Sequence, residues 1–284
     1  MTLSADICSY RLDVLGFPGN PDSTSNLALL DQRLAVEWVR DNIEKFGGDT
    51  SRITLFGQSA GSASADLYNY AFKDDPIISS VILESGSAFG WGLPNSKARS
   101  AGFWYNVTET LGCGKADSDS DEVLTCMRRQ NYTDILDAVP QLDATSGILG
   151  GFGPTTDDKV VFSNYTEQQP SNIPVLIGNT HYEAGLFRLQ FALGGLLNPD
   201  GFWDGFNLLA FTCPAAIRAN ASVAAKVPTW RYRYFGVFPN LAVSPHSTQL
   251  AKAAWHSSLA EARSPTLFVG LEFANINVKF IDKR

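Results

Sequence analysis

The segment Gly57-Gln58-Ser59-Ala60-Gly61 constrains the fold of this 284-residue chain more than any other segment. Residues 52–56 before it are rich in strand formers, and the small residues at 62–70 after it are compatible with a helix. A serine between two glycines at such a junction is typical of a nucleophile elbow, where a strand turns abruptly into a helix and exposes the serine hydroxyl. The segment therefore predicts that Ser59 is a nucleophile.

Three neighbours of Ser59 have predicted roles in that turn. Gly57 and Gly61 would allow the backbone to pack closely around a strained serine. The amide of Ala60 would lie at the N-terminus of the following helix, where it can donate a hydrogen bond to an oxyanion that develops on a substrate. The segment thus predicts a nucleophile together with one oxyanion donor.

The flanking segments alternate between strand and helix patterns, which is typical of a parallel α/β sheet. Residues 7–15 are rich in strand formers and predict a strand. Apolar residues recur every three or four positions over residues 26–46, which predicts an amphipathic helix that ends at Gly47 and Gly48. Further predicted elements are strands at residues 80–83, 173–177 and 229–235 and an irregular, partly helical insertion at 114–153. Because no repeat or linker is present, one domain accounts for the chain.

Composition excludes several classes of protein. Hydrophobic residues make up 44% of the chain and charged residues 18%, a balance that predicts a globular protein. The net charge is −7 and no basic run is present, which argues against nucleic acid as a partner. No apolar stretch approaches the roughly 18 to 20 residues that cross a bilayer, so no membrane span is expected. No group of histidines and cysteines has metal-ligand spacing, so no metal site is expected.

Cysteine usage and glycosylation patterns favour a secreted protein. Cys113 and Cys126 bracket a polar loop, and a disulfide between them is the favoured interpretation, with two unpaired thiols on adjacent helices as the alternative. Cys8 and Cys213 are left unassigned. Residues 1–6 show no secretory signal, but four tripeptides fit the N-glycosylation acceptor pattern, beginning at Asn106, Asn131, Asn164 and Asn220.

The sixteen residues 46–61 resemble the serine signature of the type-B carboxylesterase, lipase and cholinesterase family. Weaker similarity extends over roughly residues 9 to 256, and it is carried by Tyr10-Arg11-Leu12 with Gly16-Phe17, by residues 26–32, by Glu84-Ser85-Gly86-Ser87 and by the Cys113 to Cys126 loop. The resemblance implies an α/β-hydrolase fold with a mainly parallel central sheet. The segment at 229–235 resembles a fungal secreted member.

Chain order in this family is serine, then acid, then histidine. Residues 178–187 resemble the acid loop, which implies that Glu183 is the orienting carboxylate, whereas its alternatives have no strand directly before them. Those alternatives are Asp157, Asp158 and Asp200.

The histidine motif of the family resembles Trp255-His256-Ser257-Ser258, which implies that His256 is the general base. His246 is the alternative. His181 precedes the last predicted strand and is therefore expected only to line the site. The motif departs from the family at Ser257, where glycine is usual, and at Leu259, where glutamate is usual.

Both ends of the chain differ from the family pattern. The glycine-rich loop that supplies oxyanion donors in the family would precede Tyr10, where this chain has no room for it. Residues 150–153 are glycine-rich but follow the nucleophile, and they resemble a structural segment instead. Residues 259–284 no longer resemble the family. We therefore expect a single, incomplete α/β-hydrolase domain over residues 1–284 with a divergent tail at 259–284.

Two functions follow from these observations. The first is a serine hydrolase that cleaves small-molecule or lipid carboxylic esters through an acyl-enzyme, with a Ser59, Glu183 and His256 triad and no cofactor. The second is a catalytically silent, cholinesterase-like binding protein or fragment.

Ser85 is expected near the triad, either hydrogen-bonded to it or as a plain turn residue. Three aromatic residues are expected either to line an acyl pocket or to pack in the core: Phe89, Trp91 and Phe187.

Overall fold

The computed structural model describes residues 6–90, 94–140, 151–193 and 195–235. The chain divides into two compact units, of which the first comprises Met1–Thr50 and Gly92–Gln168 and the second comprises Ser51–Trp91 and Gln169–Arg284. The single domain over residues 1–284 stays a prediction. The divergent tail at 259–284 lies outside the described residues.

The described ranges contain helices and strands in alternation. In chain order the helices are α1 (Asp13–Gly16), α2 (Leu27–Asn42), α3 (Ala60–Ala71), α4 (Lys97–Thr110), α5 (Ser120–Met127), α6 (Tyr132–Ala138), α7 (Ala184–Leu193), α8 (Asp200–Asn207) and α9 (Cys213–Ala224). The strands are β1 (Thr54–Gln58), β2 (Ser80–Glu84), β3 (Val175–Thr180) and β4 (Thr229–Tyr234). Short 3-10 helices cover Ile43–Phe46, Thr50–Arg52 and Tyr165–Glu167, and a π-helix, Leu208–Thr212, joins α8 to α9.

The helix predicted over residues 26–46 is confirmed in the first unit. It is α-helical as α2 and continues as the 3-10 turn Ile43–Phe46. Gly47 ends it with a φ of 80°, a left-handed conformation that glycine adopts at little cost. Before the helix, the buried Asn26 side chain donates to the Thr155 carbonyl at 2.8 Å and accepts from the Thr155 amide at 2.9 Å. These two hydrogen bonds fix the start of α2 to the loop around Thr155.

The strand predicted over residues 7–15 is wrong. Residues 6–12 have no regular secondary structure, and Asp13–Gly16 form the single turn α1. Arg11 donates two side-chain hydrogen bonds to Asp31, at 2.8 and 2.6 Å, and Asp13 has a φ of 52° and accepts from the amide of Val14. These contacts bend the chain, so tertiary structure overrides a strand-like composition.

A disulfide joins Cys113 and Cys126, as predicted, and the alternative of two unpaired thiols is wrong. It connects the segment after α4 to α5 across a loop with a sequence separation of 13 residues. The hydrophobic core of this part of the first unit contains Cys113 with Val14, Trp104, Val107, Val123, Met127 and Ile135. The predicted partly helical insertion at 114–153 contains α5 and α6, while residues 141–150 lie outside the described ranges.

The second unit contains a parallel sheet with strand order β1-β2-β3-β4. Its two central strands are rich in Val, Ile and Leu, and their inward side chains are at most 1% exposed: Val81, Leu83, Val175 and Ile177. Apolar central strands of this kind are typical of parallel sheets that helices cover. The predicted α/β fold with a parallel sheet is therefore confirmed. All carboxyl ends of the four strands meet at one edge, which we call the carboxyl edge.

Candidate active site

Ser59 lies at the carboxyl edge, directly between β1 and α3. Its φ of 56° and ψ of −120° fall outside the regions that most residues occupy, so the turn is strained. Two hydrogen bonds stabilise this turn, because the Ser59 amide donates to the Glu84 carbonyl at 2.8 Å and the Ser59 carbonyl accepts from the Ala63 amide at 3.0 Å. The strand, sharp turn and helix that the sequence predicts are all present.

Two glycines give this strained turn its space. A Cβ at Gly57 would lie 2.2 Å from the carbonyl oxygen of Gly61, so the strand and the first turn of α3 approach too closely for any side chain. A Cβ at Gly86 would lie 2.3 Å from the carbonyl oxygen of Ser59. At Gly61 an added Cβ would meet no described atom within 4 Å. Gly86 was not singled out by the sequence analysis, although it lies within the family-like segment at 84–87.

The amide of Ala60 opens α3, a helix of 12 residues. The first amides of a helix have no carbonyl partner within it, and the helix dipole adds positive potential at that end. Ser59 is half-buried and Ala60 is exposed, so both are open to a bound molecule. The arrangement can therefore hold a hydroxyl nucleophile beside a hydrogen-bond donor for an oxyanion.

Glu183 lies three residues beyond the end of β3 and is completely buried. Its Oε1 accepts from the Ser85 hydroxyl at 2.6 Å and from the Thr180 amide at 2.5 Å. Its own amide donates to Oδ1 of Asn207 at 2.7 Å. The carboxylate is thus held by residues at the ends of β2 and β3, and the backbone of Glu183 is held by the end of α8.

Ser85 connects the end of β2 to the carboxylate of Glu183. It follows β2, has a φ of 57°, and its amide donates to the Gly178 carbonyl in β3 at 2.8 Å. Of the two roles left open for Ser85, the hydrogen bond to Glu183 is the one present. Asn207 was missed by sequence reasoning, because its bond to Glu183 spans 24 residues and no local pattern marks it.

Tyr232 in β4 contacts the same region from the next strand. A Cβ at Gly178 would lie 2.4 Å from the Tyr232 ring, so the ring packs directly on the glycine backbone. Burial raises the pKa of the Tyr232 hydroxyl, and the nearby negative charge of Glu183 raises the pKa further. Tyr232 therefore stays neutral and packs an apolar ring on the backbone of β3.

The predictions for the three histidines have different outcomes. His256 and its alternative His246 lie outside the described residues, so both stay predictions. His181 is exposed just after β3, where its ring stacks on Phe235 with centroids 4.8 Å apart and its carbonyl accepts from Arg233. Partial burial lowers the pKa of His181, and the positive charge of Arg233 lowers it further.

The alternatives to Glu183 lie elsewhere. Asp157 and Asp158 belong to the first unit, where Asp157 accepts from three amides of its own loop and Asp158 accepts from the Ser163 amide. Asp200 lies at the start of α8 and forms a largely exposed ion pair with Arg188. Of these four acidic residues, Glu183 alone follows a strand of the parallel sheet at the carboxyl edge.

Comparison with known proteins gives the family. A sequence model described as "Carboxylesterase family" matches residues 7–195. A relative named "Secreted lipase 5" from Gibberella zeae is 36% identical, and the alignment covers 95% of this chain and 52% of that protein. A relative named "Chlorogenic acid esterase" from Aspergillus niger is 34% identical over 92% of this chain and 48% of that protein. The chain belongs to the carboxylesterase family.

More distant carboxylesterase relatives include a protein named "Cholinesterase" from Mus musculus, which is 34% identical over 70% of this chain and 35% of that protein. The chain spans about half the length of the two fungal relatives, at 52% and 48%. The family membership confirms the resemblance that the signature at 46–61 carries.

Other residues that the sequence singles out have their own local surroundings. Phe187 is buried, and its ring packs against Phe206 and Phe211 with centroids 5.2 and 5.9 Å apart, which favours a core position. Phe89 contacts Tyr70, while Trp91 lies outside the described residues. In the glycine-rich segment at 150–153, a Cβ at Gly151 would lie 2.7 Å from the Phe103 ring, so this glycine serves packing within the first unit.

The four glycosylation acceptors differ in local structure, although all four asparagines are exposed. Asn131 and Asn164 accept at Oδ1 from the amides of Thr133 and Thr166 in Asx turns. Asn106 and Asn220 lie within α4 and α9, and the hydroxyl residues of their tripeptides are fully buried. Glycosylation at these four positions stays a prediction.

Cys8 is exposed and Cys213 is half-buried, and both are free thiols. Within the described residues there is no group of three or more His, Cys, Asp and Glu side chains that could hold a metal ion. In the same part of the chain, each helix is too short or too polar to cross a membrane.

Proposed function

We propose that this carboxylesterase hydrolyses carboxylic esters outside the cell through an acyl-enzyme on Ser59. The observation that carries the proposal is the strained Ser59 turn at the carboxyl edge, with the buried Glu183 held two strands away by Ser85. A solvent-accessible serine on a strained strand-to-helix turn and a fixed carboxylate at the same sheet edge are the arrangement that a serine hydrolase needs. The names of the fungal relatives, a secreted lipase and an esterase, support the same chemistry and location.

The chemical steps assign one role to each residue. The Ser59 hydroxyl attacks the ester carbonyl carbon while its proton passes to His256, and the Ala60 amide donates to the oxyanion. Collapse of the tetrahedral intermediate breaks the bond to the alcohol, which leaves with the proton from His256. Water then attacks the acyl-enzyme in the same way and releases the acid. Glu183 holds the tautomer of His256 and stabilises its charged form.

The substrate class is a carboxylic ester. The relatives are named for lipid and for chlorogenic acid esters, so both an alkyl and an aromatic acyl group are candidates. A panel of p-nitrophenyl esters from acetate to decanoate, together with an aryl acrylate ester, separates the two.

The test compares Ser59→Ala with Ser64→Ala, since both serines lie at or within α3 and only the first occupies the turn. Purified chain made in a secretory host should hydrolyse p-nitrophenyl butyrate. Ser59→Ala should lower kcat at least about 10³-fold, whereas Ser64→Ala should keep the wild-type kcat. Equal activity of the two variants would exclude Ser59 as the nucleophile. Inactive wild-type chain that folds would favour a silent binding protein.

A further inference from the structure

A buried ion pair lies behind the Ser59 turn. Nε of Arg218 in α9 donates to Oδ1 of Asp66 in α3 at 2.6 Å, and both side chains are 0% exposed. The Arg218 guanidinium also donates to the Ser222 hydroxyl and lies 5.0 Å from the centre of the Tyr70 ring. The pair therefore connects the helix that follows the nucleophile to a helix 152 residues further along the chain.

The second oxygen of Asp66 contacts the turn that carries Ser85. Oδ2 accepts from the Ala88 amide at 2.9 Å. One helical turn earlier on the same face of α3, the Ser62 hydroxyl donates to the Gly86 carbonyl at 2.7 Å. Residues 85–88 are thus fixed to α3 at two points, on the side where a Cβ at Gly86 would meet the Ser59 carbonyl.

This turn joins the two proposed catalytic side chains. Ser59 precedes α3 directly, and Ser85 donates its hydroxyl to Glu183. The only described hydrogen bonds from α3 side chains to residues 85–88 are those of Ser62 and Asp66. A shift of the turn relative to α3 would move Glu183 relative to Ser59.

Burial of the pair is not by itself evidence that its charges stabilise the fold. Desolvation usually offsets the attraction of a buried ion pair, and an apolar pair of similar size often stabilises a fold equally well. Here Nη2 of Arg218 has no hydrogen-bond partner among the described residues, which adds to that cost. Burial tends to lower the pKa of Arg218, but the attraction and hydrogen bond of Asp66 raise it overall, so the guanidinium of Arg218 stays charged.

We infer that Asp66 and Arg218 are positioning residues: the hydrogen bond between their side chains holds an oxygen of Asp66 against the Ala88 amide and thereby fixes the distance between Ser59 and the Glu183 carboxylate. This inference rests on the proposed function. It assigns no contact with substrate to either residue, so substrate binding should be independent of the pair and the rate of acyl transfer should depend on it.

Two double variants separate positioning from stability. Asp66→Leu with Arg218→Met removes both the charges and the acceptor for the Ala88 amide. Asp66→Asn with Arg218→Gln removes the charges but keeps a carbonyl acceptor for Ala88 and a donor for Ser222. Ser222→Ala is the control for loss of a contact made only to Arg218.

Two measurements are made on each full chain: kcat and KM for p-nitrophenyl butyrate per fluorophosphonate-titrated site, and hydrogen exchange of the peptide that contains residues 85–88. The apolar pair should lower kcat at least about tenfold with KM within about twofold, because small displacements of reacting groups are costly. Its 85–88 amides should exchange at least about tenfold faster. The acceptor-retaining pair and Ser222→Ala should remain close to wild type in both.

Equal kcat and equal exchange in the apolar pair and the wild type would overturn the inference, and so would an equal loss in both double variants. If the wild-type chain hydrolyses no ester, the proposed function fails while the exchange measurement still decides whether the pair fixes the turn. If the apolar pair does not fold, Asp66→Glu replaces it, since it keeps the charges but displaces the acceptor; unchanged kcat and exchange in that variant would overturn the inference.

Discussion

Glu183 in the second unit and Asp157 in the first unit are both acidic residues whose carboxylates accept several hydrogen bonds. Oδ1 of Asp157 accepts from the amides of Lys159, Val160 and Val161, all within its own loop. Oε1 of Glu183 accepts from Ser85, which is 98 residues away along the chain. One carboxylate closes its own loop, and the other joins neighbouring strand ends.

The difference bears on which acid serves the proposed reaction at the sheet. The pKa of Asp157 is lower than usual because, although burial raises it, the amides of its loop and Asn26 lower it more. Asp157 is therefore a stabilising anion in the first unit. Glu183 is completely buried at the carboxyl edge, where Ser59 also lies. The predictions below test this division between a carboxylate that supports stability and one that supports catalysis.

The largest effect is expected for Glu183→Gln. The amide keeps an acceptor for Ser85 and Thr180 but removes the charge that, in the proposed triad, orients and stabilises the histidine, so kcat should fall by about 10³ to 10⁴. Steady-state kinetics on p-nitrophenyl butyrate measure this loss. Asp200→Asn, which removes an exposed carboxylate of α8, is the matched control and should keep kcat within about twofold. A similar loss in both variants would break the division.

Next in size is the loss of the disulfide in the first unit. Cys113→Ser with Cys126→Ser should reduce the free energy of unfolding by about 3 kcal/mol, the value expected for a loop of this length. Chemical denaturation with and without reductant measures it, and reductant should have little effect on the double variant. Because the bond lies in the first unit, kcat per titrated site should be unchanged, and a tenfold drop would show that the first unit also governs catalysis.

Asp157→Asn should destabilise the first unit by about 2 kcal/mol, because one amide group cannot replace the charge that the three loop amides and Asn26 stabilise. Urea unfolding gives this value, and titrated kcat should stay within about twofold of wild type. Asp158→Asn provides a neighbouring control with an exposed side chain. A large loss of kcat with unchanged stability at Asp157 would reverse the assignment of the two acids.

The smallest effect is a pH dependence. Since the pKa of Asp157 in the fold lies below its ordinary value of 3.8, its ionised form adds stability above that pH, and the contribution is lost as the pH falls through the lowered pKa. The difference in unfolding free energy between wild type and Asp157→Asn should therefore shrink below about pH 4. A difference that grows with acidity would contradict the assigned sign.

Local patterns predicted the parts of the fold that local chemistry decides. The segment at 57–61 predicted the turn at Ser59, and the strands β2, β3 and β4 lie within three residues of their predicted bounds. The strand predicted at 7–15 was wrong because Arg11 pairs with Asp31 and Asp13 adopts a left-handed conformation. The composition of the segment indicates neither feature.

Long-range contacts account for what the sequence did not predict at the site. Asn207 contacts the acid across 24 residues and Arg218 contacts Asp66 across 152, so neither has a periodic or motif signal. Gly86 had a signal, since it lies in the family-like segment at 84–87, but its need for space becomes visible only when Ser59 lies against it.

The most direct test of the central claim is the rate and position of fluorophosphonate labelling. Tryptic mapping of the labelled wild-type chain should find the adduct on Ser59, and Glu183→Gln should label at least about 10²-fold more slowly while Asp157→Asn labels at the wild-type rate. An adduct on another serine, or equal labelling rates in wild type and Glu183→Gln, would contradict the account.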